Sequence, residues 1–162
     1  MSQVAQLGAL DAATLDLIDR CVVSVLSTMV GARPHRSGLE LDRHPPSGNG
    51  IAAMVGITGP VTGVIVLGFP AETAMRCAAS MLGCEFAAIT DEVCDAMAEL
   101  ANMVGGSAKS KLGIEPPPSL SLPTVIEGYN YRVCYPSKST WVRIPYESDL
   151  GPFSVHVSLN RG

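Results

Sequence analysis

Charge, histidine and paired cysteine are all scarce in this chain, and each shortage removes a class of function. Charged residues make up 16% of 162 residues, and Asp plus Glu outnumber Lys plus Arg by 15 to 11, a net charge of -4. Nucleic-acid binders ordinarily present a basic face, so this acidic balance argues against them. The five cysteines (Cys21, Cys77, Cys84, Cys94 and Cys134) are odd in number and include no Cys-x2-Cys pair. Three of them fall within helical patterns beside apolar neighbours. Reduced cysteines of that kind serve as small core residues, and cysteines and methionines alike are assigned to the core. His35, His44 and His156 lie far from any cysteine at ligand spacing, so no metal site built by the chain is expected. Neither a phosphate-binding loop nor a nucleophile–base pair is present. The N-terminus lacks the basic start and apolar stretch of a secretory signal. The apolar run Cys21 to Val30 is too short to span a bilayer and follows Asp16, Asp19 and Arg20 directly. A cytoplasmic protein without membrane contact is expected.

What is present suits a globular chain. Hydrophobic residues amount to 47%, which argues against disorder, and the length fits a single domain over 1–162. Asp11 to Val30 is expected as the first helix, with Asp11 as N-cap, Gly31 as terminator and Leu15, Ile18, Val22, Val25, Leu26 and Met29 as its stripe. Residues 32–50 are rich in Pro, Gly and Arg and are expected to form a loop with room for a short edge strand. GIAAMVGITG and VTGVIVLGF then give two strands around a Gly59-Pro60 turn, apolar enough to be covered by helices. A second helix opens at Pro70 and closes at Gly83, with Met75, Ala78, Met81 and Leu82 facing inward. After the third helix, the run Pro116-Pro117-Pro118 forces an extended connection. SLSLPTVIEG, STWVRIPY and PFSVHVSLN follow as strands, the last two alternating like half-exposed antiparallel strands. The order α-β-β-α-α-β-β-β predicts an α+β fold, helices packed on a largely antiparallel sheet.

The third helix, Thr90 to Gly113, carries the candidate chemistry. At about 100° per residue, Asp95, Glu99 and Asn102 share a narrow arc with Gly106 and Lys109. Val93, Met97, Leu100, Val104 and Ala108 take the opposite side. An ordinary solvated helix face has the same composition, and spacing alone does not separate the two. Leu26 to Gly31 also echoes Leu100 to Gly105, with Val25 where Glu99 stands and Thr28 where Asn102 stands. An old duplication and a chance likeness of two apolar helices both account for this.

The spacing Asp-x3-Glu-x2-Asn resembles the signature of the CheC/CheX/FliY family of response-regulator phosphatases. ITGPVTGVIVLGF, ETAMRCAASMLG, NMVGGSAKSKL and SLSLPTVIEG resemble further family segments, and together they cover about Gly50 to Gly128. With one complete acid–amide pair the chain is more similar to CheX than to the two-site CheC. Pro123 stands two residues before the family's usual proline position, which Val125 holds.

The resemblance implies a phosphatase acting on the aspartyl phosphate of a CheY-like response regulator. Asn102 would orient the attacking water, and Glu99 would pair with the regulator's lysine. Asp95, Gly106, Lys109 and Pro123 would contact the partner. Mg²⁺ would come with the regulator, and the chain would need no cofactor of its own. The family's other implied role is a non-catalytic module that binds a regulator or a flagellar switch component. A homodimer is allowed too, with a terminal strand around Val155 to Leu159 exposed and open to pairing across chains.

Overall fold

A computed structural model describes residues 10–42, 46–135 and 139–161. The N-terminal residues before Leu10 and His44 lie outside the described residues. Helix α1 runs Ala12–Val30. Its N-cap is Asp11, whose side chain accepts a hydrogen bond from the Thr14 N–H at 2.8 Å. That backbone N–H holds the Asp11 carboxyl below its usual range. Gly31 ends the helix at φ 72°, the left-handed conformation that glycine adopts without penalty.

After α1 come β1 (His35–Arg36), β2 (Glu40–Asp42), β3 (Ser47–Thr58) and β4 (Val61–Phe69). The helices α2 (Ala71–Leu82) and α3 (Asp91–Lys111) follow, then β5 (Ser119–Leu120), β6 (Thr124–Arg132), β7 (Trp141–Glu147) and β8 (Phe153–Arg161). In space the strands lie β1-β7-β8-β4-β3-β5, with β2 also on β7 and β6 also on β3. Every pairing among the described residues is antiparallel. This is the expected α+β architecture, and the Pro/Gly-rich loop supplies two short edge strands, β1 and β2.

All three helices cover one face of the sheet. Ile51, Ala53, Val55 and Ile57 of β3 join Ile65, Leu67 and Phe69 of β4 and Val155, Val157 and Leu159 of β8 beneath them. Alternate residues of β3 and β4 point the other way, where Ala52, Val64 and Val66 join Trp141 of β7 in a second buried cluster. Burial on both faces explains why β3 and β4 are apolar almost throughout instead of alternating.

Four expectations are corrected. First, β8 is an interior strand paired with both β4 and β7. Val155 to Leu159 are buried, so this segment is not an exposed edge. Its polar alternates, His156 and Ser158, are buried as well. Second, SLSLPTVIEG is two strands: Ser121 keeps its N–H on the Gly56 carbonyl, but its side chain takes the return bond, and Pro123 has no N–H to offer. Third, α2 buries Thr73, Ala74, Cys77 and Ala78, whereas Met75 and Met81 are half-buried and Leu82 is 50% exposed. Small residues face the sheet there, and Thr73 donates to the Pro152 carbonyl at 2.9 Å. Of the expected inward face Ala78 is buried and Met81 packs partly against the core, but Leu82 is not part of it. Fourth, Cys21 and Cys77 are core residues, but Cys84 and Cys134 are exposed.

The helix α3 meets β3 most tightly at Gly105. A Cβ there would lie 2.8 Å from Val55 Cγ2, whereas one on Gly106 would meet nothing within 4 Å. Adjacent glycines thus do different things. Gly106→Ala is expected to raise unfolding stability by about 1 kcal/mol, the helix-propensity difference. At Gly105 the same gain is offset by an overpacking cost of about 1–3 kcal/mol. Urea titrations at unchanged m-value should therefore rank Gly105→Ala below Gly106→Ala by roughly 1–3 kcal/mol; equal midpoints would rule out the close contact.

Candidate active site

Thr90 starts α3, its hydroxyl oxygen accepting from the Val93 N–H at 3.4 Å. Asp91 and Glu92 in the first turn and Lys109 and Lys111 in the last complement the helix dipole. Its underside is closed: Val93, Met97, Leu100, Val104 and Ala108 are buried as expected, and Ala96, Ala101 and Gly105 join them. On the outer side Asp95, Glu99 and Asn102 are exposed, and Gly106 and Lys109 are half-buried. Among the described residues, no hydrogen bond or ion pair engages the side chains of Asp95, Glu99 or Asn102. The acid and the amide lie one turn apart on a convex ridge, free to meet a partner.

Leu120 packs near Gly105, its Cδ1 being 3.5 Å from where a Cβ would stand. At the other end of the segment, Glu127 on β6 accepts a hydrogen bond from the Cys94 thiol at 3.7 Å. The intervening chain is thus fastened to α3 at Gly105 and at Cys94, and Pro123 on it is half-buried. Five of the six sequence-predicted residues share one face of α3, and the sixth, Pro123, lies on the connection between β5 and β6.

Helix α1 offers no second pair. Val25, which echoes Glu99, is buried, and Thr28, which echoes Asn102, is exposed alone. Sequence reading missed the Cys94–Glu127 contact, since no local pattern joins residues 33 positions apart. Burial pushes the Cys94 thiol above its ordinary range, and the Glu127 carboxylate adds to the rise. No group of three or more His, Cys, Asp and Glu side chains able to hold a metal is found among the described residues. Nor is any of their helices long and apolar enough to cross a membrane.

The sequence profile of the chemotaxis phosphatase CheX family matches residues 51–147, and the chain belongs to that family. It is 24% identical over 159 residues to the CheY-P phosphatase CheX of Thermotoga maritima, covering 94% of this chain and 99% of that protein. The chemotaxis protein CheX of Desulfovibrio desulfuricans is 28% identical and superposes with a TM-score of 0.82 over 91% of this chain and 99% of its own. A Borrelia burgdorferi CheX, solved in complex with CheY, BeF3 and Mg²⁺, is 20% identical with a TM-score of 0.73. The superposition spans 91% of this chain and 98% of that one.

The Cys94 environment has a measurable consequence. A thiol with a raised pKa holds less thiolate at any pH below it, and thiolate is the reactive form. At pH 8, Cys94 is expected to react with a maleimide or disulfide reagent more slowly than the exposed Cys84 and Cys134. Glu127→Gln removes the negative charge and should speed it. Mass-resolved labelling kinetics check both points, and a Cys94 rate equal to Cys84 would contradict the contact.

Proposed function

We propose that this protein hydrolyses the aspartyl phosphate of a CheY-like response regulator. The observation that supports this best is the free pair of Glu99 and Asn102, one turn apart on an exposed ridge of a CheX-family fold. An exposed helix face of this kind can enter a partner's own active site. The names of two relatives agree: one is a CheY-P phosphatase, and another was solved bound to CheY.

The reaction needs little from this chain beyond position. Water attacks the phosphorus, the bond between phosphorus and the aspartyl oxygen breaks, and inorganic phosphate and a free carboxylate result. In phosphoryl transfer most of the rate comes from alignment and charge stabilisation. Asn102 is suited to align the water, since a carboxamide donates and accepts hydrogen bonds without repelling phosphoryl oxygens. Glu99 would repel them, so its place is opposite a cation, the lysine beside the regulator's phosphorylation site. Asp95 extends the acidic stripe, and Lys109 supplies a rim charge of small worth. Gly106 leaves its stretch of the ridge open to a close approach. Mg²⁺ belongs to the substrate, held on the regulator with its phosphate.

Mutations should split these roles. Asn102→Ala is expected to lower phosphate release on the order of a hundredfold, with regulator affinity little changed, because alignment acts in the transition state. Glu99→Ala should weaken binding and turnover together. Wild-type turnover in Asn102→Ala would remove the mechanism.

Turnover number separates an enzyme from a docking module of the same family. At excess phosphorylated regulator, one chain should release many phosphates, and chelating the regulator's Mg²⁺ should stop it. Metal analysis of the isolated chain should find none bound. Stoichiometric protection of the phosphate would establish the docking module instead.

A further inference from the structure

We infer that Leu122 is the docking anchor of this site: a rigid apolar knob beside the acid–amide turn that seats in an apolar recess of the response regulator next to its phosphorylated aspartate. This rests on the function proposed above. Leu122 is 88% exposed. Single exposed leucines are common and need no explanation, so exposure alone proves nothing. What sets this one apart is how firmly the chain around it is held, and where.

The preceding residue is pinned from both sides. Ser121 donates its backbone N–H to the Gly56 carbonyl at 2.9 Å, and its hydroxyl oxygen accepts from the Gly56 N–H at 2.8 Å. The same hydroxyl donates to the Leu122 carbonyl at 3.0 Å. A serine side chain thus takes over a ladder bond of β3, and the chain turns out of the sheet at that point. Pro123 follows with its φ fixed by the ring. Leu122 therefore sits at the tip of a stiff corner. An apolar side chain presented this way loses little backbone freedom on binding, which is how preorganisation raises affinity.

Its location ties it to the chemistry. The segment from Leu120 to Glu127 is fastened to α3 at Gly105 and at Cys94, so its corner lies beside the turn carrying Glu99 and Asn102. On this reading, a partner that brings an acyl phosphate to Asn102 reaches the corner at Leu122 as well. The stretch from Pro116 to Ile126 contains no charged residue. Contact there is apolar, whereas the helix ridge is charged. The two edges divide the work: the ridge aligns the reacting groups, and the corner holds the regulator.

The test uses the whole chain, a CheY-like regulator phosphorylated for turnover, and the same regulator charged with beryllofluoride and Mg²⁺ for affinity. Leu122→Ser should raise KM and Kd about tenfold to a hundredfold, the value of one buried leucine. Its kcat and thermal midpoint should match wild type, since an exposed side chain contributes little to the fold. Leu122→Met should restore most of the affinity. Leu39→Ser serves as the control, because Leu39 is 49% exposed between β1 and β2, which pair with β7 at the opposite edge of the sheet. Unchanged KM and Kd in Leu122→Ser, or an equal effect of Leu39→Ser, overturns the assignment. If wild type binds the charged regulator but releases no phosphate, the phosphatase function fails while Kd still judges Leu122. If wild type does not bind it, both fall.

Discussion

The packing of α3 onto β3 determines how the acid and amide of the candidate site are aimed. Eight residues of the helix are buried, among them Val93, Met97, Leu100 and Val104, all fully enclosed. Burying a side chain of that size is worth roughly 1.5–3 kcal/mol relative to leaving it in water. Rotating the helix by one residue would expose several of these at once and drive Asp95 or Glu99 toward the sheet without a partner. Burying an unpaired carboxylate is costlier still. The orientation of Glu99 and Asn102 is thus inherited from aliphatic contacts on the far side of the helix. Gly105 sharpens the effect by letting the backbone settle against Val55.

The sheet has to be stiff for this to matter, and its strand order makes it so. β3 and β4 are interior strands, and β8, the last strand in sequence, is threaded between β4 and β7. Gly63 allows one very close passage in that threading, for a Cβ there would collide with the Ser158 carbonyl of β8. Apolar side chains fill both faces, so the platform under α3 cannot flex without opening a core cluster. The corner at Leu122 draws on the same support. Its Ser121 bonds end on Gly56, one residue from the Val55 that meets Gly105.

Helix periodicity made the exposed arc of the candidate site legible from sequence, and the family resemblance, not the spacing, set it apart from an ordinary solvated face. A 3.6-residue repeat predicts faces well when one side is uniformly large and apolar, as in α3. It misplaced α2, where the buried side is Thr73, Ala74, Cys77 and Ala78, because small residues mark close packing without a strong hydrophobic signal. The strand errors have a different origin. Alternation in PFSVHVSLN suggests one wet face, yet His156 and Ser158 are buried in an interior strand flanked by β4 and β7. The break at Ser121 depends on a bond to Gly56, 65 residues away. Local pattern carries no trace of such partners. The Glu127 contact with Cys94 escaped for the same reason, so the flank of the site stayed invisible while its ridge did not.

The comparison of α1 with α3 separates what the fold requires from what the chemistry requires. Both helices pack on the same sheet face and contribute to the same core. Yet α1 fulfils that duty with Val25 buried where α3 exposes Glu99. An acid and an amide one turn apart are therefore no requirement of this architecture. On α3 they lie free of hydrogen bonds and ion pairs among the described residues, and an isolated acid on a helix surface contributes little to stability. Function is carried by sites set on folds, not by folds themselves. A pair that contributes little to the scaffold, held at fixed angle by a scaffold that is indifferent to it, fits the role proposed for it at a partner's surface. The unpaired carboxylate calls for a cation and the amide for a group that both gives and takes a hydrogen bond.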